Sequence, residues 1–284
     1  MGQTLSELKS RLGAARGEIG LIGLPYDAAS SFLRGPSGAP PVIRAALYSD
    51  ITHLWSESGV DLGAGHLFDA GDLDLPDEQG VLEDISSGVR HILEHGLRPL
   101  SLGGDHSISF PILRAFREVY PRLSLLQLDA HPDLYDEFEG SRTSHACPFA
   151  RIMEAGLVDR LVQVGIRTSN GHQREQARKY GVEVFEMRNW GDDLNLKFDG
   201  PVYVSLDLDV FDPAFAPGIS HQEPGGLTPR QAINLLHRLK IHLVGADVVE
   251  YNPFRDYQNS TAMLAAKMIK ELAAKMLSDP NPQA

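Results

Sequence analysis

Six side chains able to bind a divalent cation fall in three short stretches of this sequence, each following an apolar run. Leu128–Asp136 reads Leu-Asp-Ala-His-Pro-Asp-Leu-Tyr-Asp and sets Asp129, His131 and Asp133 at alternate positions. In extended backbone, residues i, i+2 and i+4 point to one face. Residues 202–210, Val-Tyr-Val-Ser-Leu-Asp-Leu-Asp-Val, carry Asp207 and Asp209, and residues 100–107, Leu-Ser-Leu-Gly-Gly-Asp-His-Ser, carry Asp105 and His106. Charged groups at buried strand ends are costly unless something compensates them, and a divalent cation does so. His106, Asp129, His131, Asp133, Asp207 and Asp209 are too many donors for one tetrahedral site and suit two metal ions with shared carboxylates. Each group has a plainer reading when taken alone. An Asp-x-Asp at a strand end commonly caps a turn, and a single His106 fits a hydrogen-bonded core histidine. Asp105 is expected to support the site rather than bind. Gly103 and Gly104 read as a tight turn, because no Gly-Lys-Ser/Thr of a phosphate loop follows.

The elements that must deliver these groups alternate along the chain. Strands are expected near 18–25, 66–73, 97–102, 123–128, 161–166, 182–185, 202–209 and 241–249, and helices near 5–12, 41–48, 79–94, 107–120, 148–155, 171–180 and 260–277. A further helix opens at Thr228, a suitable N-cap, with Pro229 at its first position. Leu264, Met268, Leu272 and Met276 recur at i, i+4 and read as core packing. Strands that alternate with helices predict an α/β fold with a mostly parallel sheet covered on both faces. One domain over 1–284 is expected, with 1–17 as an N-terminal extension and 279–284 as a frayed tail. All three acidic clusters fall at carboxyl ends of strands, where such sheets place their sites.

The 284 residues include 38 acidic and 26 basic side chains, a formal net charge of −12. That argues against nucleic acid as a partner, which needs a basic footprint, and fits a protein that attracts cations. No apolar run reaches membrane-spanning length, so no membrane partner is expected. Cys147 is the single cysteine, which excludes an internal disulfide. With no apolar stretch over residues 1–9, it predicts a reducing, cytoplasmic setting.

Gly-Gly-Asp-His-Ser at 103–107, Asp-Ala-His-Pro-Asp at 129–133 and Ser-Leu-Asp-Leu-Asp-Val-Phe-Asp-Pro at 205–213 resemble the three signatures of the ureohydrolase (arginase/agmatinase) family. Ser-His-Gln-Glu-Pro-Gly-Gly-Leu-Thr at 220–228 and Val-Gly-Ala-Asp-Val-Val-Glu-Tyr-Asn-Pro at 244–253 resemble its plant-type arginase branch. The resemblance implies a three-layer α/β/α fold, a homo-oligomer (trimer or hexamer) and two Mn²⁺ per chain. By the same resemblance His106, Asp129, Asp133 and Asp207 match the ligands of one ion, and Asp129, His131, Asp207 and Asp209 those of the other. Asp129 and Asp207 would bridge. His145, Glu250 and Asp133 form the implied catalytic set: His145 shuttles protons and Glu250 pairs with the substrate guanidinium.

The implied reaction is hydrolysis of a guanidino compound to urea and an amine, with L-arginine first and agmatine second. Guanidinobutyrate, guanidinopropionate and guanidine are also open, and the donor set admits Ni²⁺ as well as Mn²⁺. The far end of the substrate is expected to meet Ser141, Arg142 and Ser144 on loop 135–146, together with Asn170 and His221. Arg142 suits a carboxylate there. His221 either lines the cavity mouth or braces its own loop. Two readings from other classes remain: a non-catalytic metal-binding regulatory subunit, and a one-Zn²⁺ hydrolase such as a deacetylase on a related fold. Cys147 is not expected to act as a nucleophile beside such a site.

Overall fold

A computed structural model describes residues 2–76 and 80–278. The tail expected over 279–284, and position 79 at the start of one expected helix, lie outside them. Eight strands form one sheet: β1 (Ile19–Leu24), β2 (Leu67–Asp72), β3 (Arg98–Gly103), β4 (Ser124–Leu128), β5 (Arg160–Ile166), β6 (Glu183–Glu186), β7 (Pro201–Asp207) and β8 (His242–Val249). Their order is β2-β1-β3-β8-β7-β4-β5-β6, and every pairing is parallel. The central strands are buried along their length, which explains why they read as continuous apolar runs rather than alternating ones.

Helices cover both faces, giving three layers. On one face α2 (Ala39–Leu47), α7 (Pro229–Arg238) and α8 (Ser260–Leu277) pack on Leu100, Leu126, Val204 and Val248. On the other, α1 (Leu5–Leu12), α3 (Val81–Glu94), α4 (Ser109–Val119), α5 (Pro148–Glu154) and α6 (Gly171–Tyr180) pack on Ile22, Leu125, Leu161 and Tyr203. Alternate residues of each strand thus feed opposite cores. Met268 and Met276 are buried in the first of these cores, as their spacing predicts. The Thr228 side chain accepts from the Gln231 backbone N–H while Gln231 reaches back, so α7 opens on a capping box with Pro229 at N1.

Three features at the functional end of the sheet depart from the sequence reading. β7 stops at Asp207, and Asp209 lies in a 3-10 turn, Leu208–Val210, that the Asp207 side chain caps. The helix expected from Ser107 opens as a 3-10 turn, His106–Ile108, capped by Asp105, before α4 begins. β4 ends at Leu128, as expected, but the backbone beyond it folds, with Asp133 at a left-handed φ of +48°. Asp129, His131 and Asp133 are therefore gathered by a folded turn and not by strand alternation.

Candidate metal centre and active site

The donors gather at the carboxyl ends of β3, β7 and β4, and Glu250 follows β8, which lies between β3 and β7. Gly104 lets the loop after β1 close down on them: a Cβ there would stand 1.7 Å from the Tyr26 carbonyl oxygen.

His106 is wholly buried, and its hydrogen bonds fix its tautomer. Ser205 Oγ donates to Asp247 Oδ1 at 2.6 Å and so accepts from His106 Nε2–H at 2.9 Å. Ser109 and Tyr203 hydroxyls also donate to the buried Asp247 carboxylate. That leaves His106 Nδ1 as the ring nitrogen available to a cation. The atom stands 3.1 Å from one oxygen each of Asp129, Asp133 and Asp207. None of them is placed to hydrogen-bond it. A six-coordinate ion with bonds of about 2.1 Å needs adjacent donors about 3 Å apart, so the residues fit a cation.

A second cluster adjoins the first. His131 Nδ1 is 2.7 Å from Asp209 Oδ2 and 3.7 Å from Asp129 Oδ1. Asp129 thus turns Oδ2 to the His106 cluster and Oδ1 to the His131 cluster. The donor sets His106/Asp129/Asp133 and Asp129/His131/Asp209 share it. Asp207 turns Oδ2 to His106 and accepts the Asp209 backbone N–H on Oδ1.

The electrostatics express the same crowding of acids. Burial and the neighbouring Asp129 push the Asp133 carboxyl up to about 6, and burial with Asp209 raises that of Asp207 far above the ordinary range. Burial opposes charge on Asp129 too, but His106 and His131 hold its carboxyl low. Burial alone would lower both imidazoles, yet the carboxylates around them raise His106 and His131 well above the usual histidine value. Two divalent ions would replace those protons with fixed charge.

Above this floor Glu250, with a φ of +64°, accepts on Oε1 from the His106 backbone N–H at 2.9 Å and faces His145 Nδ1 at 3.0 Å. Burial would lower the His145 imidazole, but Glu250 outweighs it and raises it to about 9. His145 Nε2 meets Ser31 Oγ at 2.8 Å. Both lie in a cavity of about 200 Å³ that is also lined by His131, Asp133, Asp207 and Asp209. Asn170 and His221 line it as well, and Asn170 donates to the Tyr135 hydroxyl.

Ser141, Arg142 and Ser144 do not line this cavity. Arg142 turns away and forms bidentate pairs with Asp136 and Glu154 near the surface, because those acids satisfy its fork without desolvation. Ser141 meets Thr143, and Ser144 bonds the Ala146 N–H beside a small void next to Arg151. Cys147 is buried, and its thiol is pushed up to about 11 by burial, which suits packing and not attack. Asp105 accepts from Ser30 and Ser107 and stays off the donor clusters, as expected of a supporting acid.

Five contributors went unread in the sequence: Ser31, Gln127, Gln163, Ser205 and Asp247. Gln127 Nε2 donates to Asp129 Oδ2 at 2.6 Å and to the His131 carbonyl at 3.0 Å. Gln163 Nε2 donates to Gln127 Oε1 at 2.6 Å and to the Pro132 carbonyl at 2.7 Å. The signal for both was present: an amide in the middle of an apolar strand must find partners.

A wholly parallel sheet whose carboxyl end gathers two donor clusters around one shared carboxylate, under a Glu–His pair, defines a binuclear metallohydrolase. The chain belongs to the arginase family, whose sequence model matches residues 17–274. It is 48% identical over 288 residues to "Arginase 1, mitochondrial" of Arabidopsis thaliana, covering 95% of this chain and 84% of that protein. The solved structure of the arginase from Medicago truncatula superposes with a TM-score of 0.90 at 44% identity, covering 96% of this chain and 94% of that one. The agmatinase of Bacillus subtilis is 34% identical, covering 89% of each. The chain is thus a hydrolase of the ureohydrolase type, on the plant-type arginase branch. The cytoplasmic placement is corrected by these relatives, since the Arabidopsis arginase is named mitochondrial. One cysteine is as compatible with an organelle interior as with cytosol. No helix among the described residues is long and apolar enough to cross a membrane.

Proposed function

We propose that this chain hydrolyses L-arginine to L-ornithine and urea, with Mn²⁺ as its resident ion. His106, Asp129, Asp133 and Asp207 hold one ion, and Asp129, His131, Asp207 and Asp209 the other. The observation that carries the reading is His106 Nδ1 facing three carboxylate oxygens at 3.1 Å, directly under Glu250. When bound, the ion pair supplies an activated water and a Lewis-acid floor. Four carboxylates to two imidazoles form an oxygen-rich set that favours Mn²⁺ over softer ions.

Glu250 offers the guanidinium a charge-assisted pair. Both bonds it receives fall on Oε1, which leaves Oε2 for the substrate. His145, raised to about 9 and steadied on Nε2 by Ser31, carries a proton at neutral pH and can hand it to the departing amine. The far end of the cavity is neutral, with Tyr135, Thr168, Ser169 and Asn170. Asp136, the acid nearest that end in sequence, is paired with Arg142 and Arg151. An amino-acid head group, whose two charges cancel, suits such a rim better than the lone ammonium of agmatine. The greater identity to arginases than to the agmatinase supports the same choice.

The test is urea release from arginine, agmatine, guanidinobutyrate, guanidinopropionate and guanidine, run with Mn²⁺ and again with Ni²⁺. Arginine with Mn²⁺ should give the highest kcat/KM, and faster turnover of any other pair overturns the assignment. Light scattering tests the homo-oligomer, trimer or hexamer, that accompanies this reading.

A further inference from the structure

We propose that Glu250, His145 and His221 form a third cation site, suited to Zn²⁺, which when filled closes the guanidinium subsite. The closing of the subsite rests on the function proposed above; the cation site does not.

One donor atom from each of the three residues lies within 4.8 Å of the other two. Three ligands of a tetrahedral ion with bonds of about 2.0–2.1 Å stand about 3.4 Å apart. His145 Nδ1 and Glu250 Oε1, at 3.0 Å, are already near that spacing. His221, whose donor atom lies within 4.8 Å of the other two, has at most roughly 1.4 Å to close in. It is half-buried on the loop after β7, with its ring centroid 5.1 Å from that of His145. The Ser31 hydroxyl on His145 Nε2 sets that ring so that Nδ1 faces Glu250, the kind of outer support that metal-binding histidines have.

The donor chemistry differs from that of the floor. Two imidazoles and one carboxylate, with one position open, is the set that three-ligand zinc sites use. The floor has four carboxylates and two imidazoles, which favours a harder ion of higher coordination number. Zinc entering the upper site takes the place of the proton between His145 and Glu250, and that proton leaves to solvent. Zinc on Oε1 neutralises the carboxylate whose Oε2 would pair with the substrate cation, so one acid serves two competing cations.

The test uses protein loaded with Mn²⁺ and freed of excess metal. Zn²⁺ is titrated calorimetrically, the sample is desalted, and its metals are counted. Two manganese and one zinc per chain are expected, with urea release inhibited competitively against arginine. His221→Ala should lose the zinc equivalent and, measured against its own zinc-free rate, need roughly 10–100-fold more Zn²⁺ for half inhibition. His221→Cys, which restores a ligand, should recover zinc binding. Zinc replacing manganese one for one, or a third equivalent retained in His221→Ala, overturns the site. A third equivalent lost in His221→Ala without any urea release from wild type would uphold the site and defeat the functional reading alone.

Discussion

The floor of the cavity is held by hydrogen bonds that end on strands, whereas the loop outside its mouth is held by ion pairs that end near solvent. On the floor, Gln163 on β5 bonds Gln127 on β4, which bonds Asp129; Asp247 on β8 bonds Ser205 on β7, which bonds His106. All of these side chains are buried and each fixes its neighbour, with Gln163 Oε1 and His106 Nδ1 left without a hydrogen-bond partner. On the loop outside the cavity mouth, Arg142 is about half exposed and pairs with Asp136 and Glu154. Exposed pairs of that kind are weak and replaceable. The difference teaches that the ions are positioned by backbone-anchored chains that tolerate little change, while the substrate's far end meets a surface that substitutions can retune.

Four variants can break or sharpen this contrast. Asp129→Ala removes the carboxylate shared by both clusters and should abolish metal loading and activity together, by at least about a thousandfold in kcat. Turnover with intact metal content in that variant would contradict the shared role. Glu250→Gln should keep both metals by elemental analysis and raise KM for arginine by about 10–100-fold, since the amide cannot pair with the cation. Loss of metal instead would move Glu250 from the rim to the floor. Gln127→Leu should lower Mn²⁺ affinity by about 10–100-fold, read as the metal concentration needed to raise Tm, because Asp129 loses its orienting donor. An unchanged metal dependence would show that the amide chain only fills space. Arg142→Ala should change KM by no more than about twofold, as expected for an exposed ion pair. A large rise in KM for arginine but not agmatine would return Arg142 to the substrate.

The fold and the floor were legible because period and residue type both pointed there. Apolar runs marked the strands, and acids at their ends had no apolar explanation. The pleat argument for Asp129, His131 and Asp133 reached the right neighbourhood by the wrong geometry, since the residues lie past the strand end at Leu128, where the backbone folds and Asp133 adopts φ +48°. Aspartate is enriched at left-handed φ, but residue type alone does not tell which of the acids in this stretch adopts it. The rim was the least legible part. Arg142 looked suited to a carboxylate, but which acids reach it first depends on how α5 packs against loop 134–146. Ser31 was hidden for a similar reason: it is distant in sequence from His145 and ordinary in type.

The strand order has a consequence for when this enzyme can come to life. β8, the last strand to be made, is inserted between β3 and β7, whose neighbours are otherwise complete far earlier in the chain. Until residues 242–250 have left the ribosome, Ser205 lacks the acceptor that fixes the His106 tautomer, and Glu250 does not exist. Nascent chains fold from the amino end, yet here the amino-terminal two-thirds cannot prearrange the pocket. Arrangement of the donor clusters therefore waits on β8, and a chain cut before residue 242 should not hold metal ions in this geometry.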